Sequence, residues 1–250
     1  MTQVERYIKK KDELMSEWIA KHGAKTGVKS FAMDGIISPE KWFSMSPEKE
    51  RILFILKEAY DDVNHRIWDE AKWIAHEPCM ENCESADCQN CRASGYTFNP
   101  VAEWIYGIYN AGSENYDNWL GVTSKNMDEY YTVRDELLSR VALINIKKSD
   151  GTRTSSDEDL FYYTVLDKEL LTRQIELINP TLIICGGTYG MLRCLYTDLP
   201  KLEHSDNGHA MLGDIKVIAA CHPNAKKKNE DKYLQVMENF RFLLLEWLFS

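Results

Sequence analysis

The sequence predicts an α/β fold: three layers, α/β/α, around a central four-stranded parallel sheet in one domain. Three observations carry that prediction. Short apolar runs at Ile52–Leu56, Val141–Ile146, Thr181–Cys185 and Ile215–Ala220 read as strands buried on both faces. Helical stretches lie between or beside them, as a parallel sheet covered on both faces requires. No internal repeat, low-complexity tract or Pro/Gly/Ser-rich linker divides the chain.

Composition agrees. At 250 residues, 44% hydrophobic and 28% charged, the chain is an ordinary globular sequence, long enough to bury a full core without a disulfide or metal. Its apolar runs are strand-sized, too short to span a bilayer. Residues Met1–Arg6 lack the apolar core of a secretory signal. A soluble, cytoplasmic protein with no membrane partner is expected. A net charge of −9 argues against coating duplex DNA by bulk charge, and leaves room for an enzyme working through one small basic groove.

The elements follow in order. Val4, Tyr7, Ile8, Leu14, Trp18 and Ile19 recur at broadly helical spacing over the first 22 residues, with Gly23 expected to close the helix. Residues 24–50 look irregular, with Ser38-Pro39-Glu40 and Ser46-Pro47-Glu48 each able to start a short helix. Residues 1–50 thus read as an N-terminal helical extension. After the first strand comes a cysteine-containing insertion at about 60–125, then a helix from about Met127 into the second strand. Ser155 or Ser156, followed by Asp157, Glu158 and Asp159, begins a long amphipathic helix over Asp157–Leu177. Asn179-Pro180 ends it before the third strand, and a last helix covers roughly Glu230–Leu248.

In such sheets the working residues lie just past the C-terminal strand ends. Glu58, Asp61 and Asp62 follow the first strand and could polarise a water or bind a metal, or mark a solvated helix start with Asp61 and Asp62 as caps. Asn145, Lys147 and Lys148 follow the second; an amide there suits the edge of a nucleobase and the lysines a phosphate. Gly186-Gly187-Thr188-Tyr189-Gly190 follows the third strand, and either places backbone amides against a phosphate or allows close strand–helix packing. It carries neither a P-loop nor a full dinucleotide fingerprint. Cys221-His222-Pro223-Asn224-Ala225-Lys226-Lys227-Lys228 follows the fourth, with His222 the one histidine standing where this architecture puts chemistry.

Together these segments resemble the uracil-DNA glycosylase superfamily over roughly residues 50–245. Ile52–Asp61 resembles its first motif, which reads Gly-Glu-Ala-Pro-Gly in the iron–sulfur branch. Leu143–Lys148 is similar to its strand ending in Asn, and His222-Pro223-Asn224 to its His-Pro-Ser motif. The resemblance implies a monofunctional DNA base-excision glycosylase that hydrolyses the N-glycosidic bond of uracil or a related deaminated base in single- or double-stranded DNA. It implies that Asn145 pairs with the flipped base and that His222 donates to the base oxygen as the bond breaks. Glu58, with Asp61 a second candidate, would hold the water. Tyr96 or Phe98 would stack on the base. Lys148, Gly186, Gly187, Asn224, Lys226, Lys227 and Lys228 would meet the nucleic-acid backbone. Lys57, Tyr60 and Asp61 stand where the first motif has Gly, Pro and Gly, and Asn224 replaces the motif serine.

Cys79, Cys83, Cys88 and Cys91 place four of the seven cysteines within thirteen residues, a thiolate set that zinc or an iron–sulfur cluster accepts. His76 is a substitute ligand. The proposed chemistry requires no cofactor. Two other functions suit the same residues: a catalytically silent nucleic-acid-binding protein using Lys147, Lys148 and Lys226–Lys228, and a nucleoside or nucleotide N-glycosidic hydrolase.

Overall fold

The computed structural model of the chain describes residues 1–26, 30–59, 67–75, 95–111, 127–149, 151–152 and 154–248. Strand alternation sets its two cores. In β3 (Ile52–Glu58), Leu53 and Ile55 join one apolar cluster while Ile52, Phe54 and Leu56 join another, because successive side chains point to opposite faces. Ile144 and Ile146 of β5 (Ala142–Lys147) and Ile183 and Cys185 of β6 (Leu182–Gly186) fall on the Leu53 side. So does Val217 of β8 (Ile215–Ala220).

Helices cover both faces. The Leu53 side is packed by α1 (Gln3–Thr26) through Tyr7, Leu14, Met15 and Trp18. It is also packed by α6 (Asp157–Leu166), α7 (Lys168–Ile178) and α8 (Tyr189–Leu195). The opposite side takes Val101, Trp104 and Ile105 of α4 (Gly95–Tyr109), Leu138 of α5 (Met127–Leu138), and Val236, Met237 and Phe240 of α9 (Asn229–Leu248). Fully burying one large apolar side chain contributes roughly 1.5–3 kcal/mol, so Trp18, Trp42 and Trp104, all nearly inaccessible, are major anchors.

The sheet departs from the expected four parallel strands. Its order is β2-β5-β3-β6-β8-β7, in which the four inner strands are parallel and the two outer ones, β2 (Gly35–Ile36) and β7 (Asn207–Leu212), pair antiparallel. The irregular stretch after α1 therefore supplies an edge strand. It also supplies β1 (Phe31–Met33), which pairs with β4 (Ile67–Asp69). α2 (Pro39–Ser44) begins at the expected proline, whereas Ser46-Pro47-Glu48 forms a turn and no helix. α1 runs past Gly23, where a Cβ would meet nothing within 4 Å. The helix expected over 157–177 is two, divided at Asp167. Ser156 caps the first through the Asp159 N–H, and Asn179 ends the second in the left-handed region at φ 52°.

Register brings the strand ends level: Leu56 lies opposite Asn145, Glu58 opposite Lys147, and Gly186 opposite Ala220. From β3 the chain crosses to β5 on one side and then to β6 on the other. Such a reversal opens a crevice at the carboxyl ends of the two diverging strands, here between Leu56–Glu58 and Gly186–Gly187.

Candidate functional site

The crevice is closely packed at its floor. A Cβ on Gly186 would lie 2.6 Å from Leu56 Cδ2 and 3.1 Å from Pro223 Cδ. Gly187 takes φ +71°, and a Cβ there would meet Lys57 Cε at 3.2 Å and the His222 backbone N at 3.5 Å. The Gly187 N–H donates to Ala220 O at 2.7 Å. The two glycines thus serve close strand–helix approach, the second of the two expected readings of this turn: Gly186 is buried and the Gly187 N–H is spent on Ala220 O.

His222 stands beside this turn. Its Nδ1 accepts the Asn224 backbone N–H at 3.1 Å, so the neutral ring carries its proton on Nε2. Burial, then the Lys57 and Lys232 ammonium groups, push the imidazole down to about 4. The ring is therefore neutral at pH 7 and offers Nε2–H as a donor. Lys232 fixes the loop by donating to Pro223 O at 2.5 Å. Asn224, Lys226, Lys227 and Lys228 are exposed on it, and Lys227 lies 3.3 Å from Asp206. Cys221 is buried and its thiol pushed up by burial.

Glu58 ends β3 with its side chain only 4% exposed. Its carboxylate lies 3.4 Å from Lys147 Nζ and accepts the Thr152 N–H at 3.1 Å. Burial would lower the Lys147 ammonium, but the Asp159 and Glu58 carboxylates outweigh it and raise it. Glu58 is at the expected strand end and committed to these partners. Asp61 lies outside the described residues, as do His76 and Cys79, Cys83, Cys88 and Cys91. Among the described residues no group of three or more His, Cys, Asp or Glu side chains is placed to hold a metal ion.

Three residues expected to meet nucleic acid are enclosed. Phe98 is 4% exposed and packs in the core, edge-on to Trp73 at 6.2 Å between centroids. Lys148 is enclosed, with Nζ 2.7 and 2.8 Å from the Asp34 carboxylate oxygens and 2.8 Å from Asn145 O. Its ammonium is lowered by burial against the opposing pull of Asp34. Asn145 is also enclosed: its amide Nδ2 donates to Glu70 Oε2 at 2.5 Å, and its backbone N–H to Asp34 Oδ2 at 2.7 Å. Gln174 Nε2 adds a bond to Asp34 Oδ1 at 2.7 Å.

Sequence reasoning missed this buried network. Glu70 opens α3 (Glu70–Ile74), and burial, with the Asp34 carboxylate adding to it, pushes its carboxyl up to about 8. A second buried chain runs from Ser149 Oγ to His22 Nδ1 at 3.0 Å, and from His22 Nε2 to Asp167 Oδ2 at 2.8 Å. Lys21 Nζ stands 3.1 Å from Asp167 Oδ1. No local pattern marks Asp34, Glu70 or His22, since their partners lie 75 to 145 residues away.

Tyr96 is 81% exposed. It borders an open cleft of about 450 Å³ whose walls include Asn99, Asn224, Lys227, Asn229 and Lys232. The structure thus gathers Tyr96, Asn224 and Lys227 at one cleft next to the His222 loop, and leaves Glu58, Asn145, Phe98 and Lys148 off its walls. No helix among the described residues is long and apolar enough to cross a membrane. No protein-family model, curated protein or solved structure matches the chain.

Proposed function

We propose that the chain is a DNA base-excision glycosylase acting on uracil or a related deaminated base. The supporting observation is His222, a neutral imidazole with its donor on Nε2, at the crevice where the strand order reverses. When the C1′–N bond breaks, its electron pair leaves with the base and charge gathers on a base oxygen. A preoriented N–H at that oxygen stabilises the transition state more than the ground state. Water then adds to C1′, and its proton passes to a carboxylate, for which Glu58 and Asp61 are the candidates the resemblance names. The exposed loop of Lys226, Lys227 and Lys228 suits a local backbone contact in an otherwise acidic protein. A zinc or iron–sulfur site at Cys79, Cys83, Cys88 and Cys91 would supply no group to this chemistry; metal analysis of protein purified with and without air tests it.

A second reading, a catalytically silent DNA-binding protein, is favoured by the commitment of Asn145 to Glu70 and Asp34. Oligonucleotides carrying uracil, hypoxanthine or xanthine, treated with alkali after incubation, separate the two. Strand breakage reduced at least about 100-fold in His222→Ala is expected, from the worth of one preoriented donor. Binding without breakage on any substrate selects the silent protein, and breakage unchanged in His222→Ala rejects the mechanism. Release from free deoxynucleotides, with none from DNA, identifies a nucleotide N-glycosidic hydrolase.

A further inference from the structure

We propose that the cleft beside the His222 loop is a subsite for one unpaired nucleotide next to the reacting one, making single-stranded DNA the preferred substrate; this rests on the glycosylase reading. Three elements build the cleft. Tyr96 and Asn99 lie three residues apart near the start of α4, and so share a helix face. Asn229 and Lys232 do the same at the start of α9, and Asn224 comes from the loop between β8 and α9. The cleft's volume of about 450 Å³ suits a ligand of nucleotide size.

Its chemistry is that of a nucleotide. The Tyr96 ring is exposed and offers a stacking face. Asn99, Asn224 and Asn229 supply amides for a base edge or sugar, while Lys227, half-exposed in its surface pair with Asp206, supplies a cation for a phosphate, and buried Lys232 holds the loop through Pro223 O. Asn99 Oδ1 accepts from Arg134 Nη1 at 3.2 Å, which turns its amide NH2 away from that contact. Among the described residues no carboxylate lines the cleft.

Two facts favour a single strand. Inside a duplex both faces of a base are already stacked, so an unpaired base presents a free face to the ring at least cost, and such stacking tolerates any base. Lys147 and Lys148 are consumed by Glu58, Asp159 and Asp34. Neither lysine is then available to extend the loop's cations toward the phosphates of a second strand.

The test is fluorescence anisotropy with a labelled, undamaged single-stranded 8-mer and its duplex, read beside base release from a uracil-bearing single strand. The wild type should bind the single strand more tightly than the duplex. Tyr96→Ala should raise its Kd roughly 5- to 150-fold, the worth of one stacked base, and raise KM for base release with little change in kcat. Tyr96→Phe should restore both, and Asn224→Ala should weaken binding to a smaller degree. Single-strand binding indifferent to Tyr96→Ala, or equal affinity for the duplex, overturns the subsite while the glycosylase reading stands on base release. Absence of both binding and release overturns the two together. A selective loss of binding in Tyr96→Ala, with no release from any substrate, supports the subsite and rejects the glycosylase.

Discussion

His222 shows how one backbone contact sets the chemistry of a side chain. The Asn224 N–H occupies Nδ1, and burial, with two ammonium groups beside the ring, pushes the imidazole down to about 4. A histidine near its ordinary value would lose its neutral form as pH fell through about 6.5. His222 instead remains a neutral donor well below that, so base release should change less than twofold between pH 7.5 and pH 5.5 where substrate binding is saturated. Lys57→Met removes one neighbouring cation and should move the acid limb toward neutral pH. A limb near pH 6.5 in the wild type would contradict this assignment. Cys185 gives no comparable chemistry: it is buried and pushed up to about 12, which leaves it protonated and unreactive at neutral pH.

At the scale of elements, α1 is held by polar contacts as well as by its apolar stripe. Burial raises the Asp167 carboxyl, but the hydrogen bond from His22, with Lys21 beyond it, outweighs that and lowers it. His22→Ala leaves Ser149 without that partner and Asp167 without its closest one, both buried. Losing a buried hydrogen bond to a charged group costs roughly 1.5–3 kcal/mol, which urea unfolding should show as a lower midpoint with an unchanged m-value. The inner strands and main helices were legible because their signals are local. Continuous apolar runs mark β3, β5 and β6, and Ser156 with three acidic neighbours marks the start of α6. β2 has two residues and β7 carries Gly208 and His209; each is a strand only because a neighbour offers an edge. The candidate site divides the same way. His222 could be found from its place after a strand, whereas the enclosure of Asn145 and Lys148 depends on Asp34 and Glu70, brought in by distant segments.

For the whole molecule, Glu70 and His222 act on stability with opposite signs. Glu70 moves from 4.5 up to about 8, so between those values the folded state holds a proton that the unfolded chain releases. Its contribution is complete below pH 4.5 and is lost as pH rises through 8. His222 moves from 6.5 down to about 4, so its contribution is complete above pH 6.5 and is lost as pH falls through 4. Between pH 4.5 and 6.5 the two slopes oppose each other; from 6.5 to 8 that of Glu70 stands alone, at up to about 1.4 kcal/mol per pH unit. Chemical unfolding of Glu70→Gln should therefore show a flatter stability profile than the wild type between pH 6.5 and 8. An equal slope in both proteins would place the responsible proton elsewhere.

The long reach of the α1 contacts has a consequence during synthesis. His22 of α1 and its partner Asp167 lie 145 residues apart, so the helix is made well before that carboxylate. At roughly 5–20 residues per second, that interval lasts roughly 7 to 30 s. For that time the part of its packing surface that comes from α6 and α7, through Leu160, Leu170 and Leu171, is still to be made. α1 therefore meets Phe31, Ile36 and Trp42 soon after it is made, and completes its packing only once α7 has been synthesised.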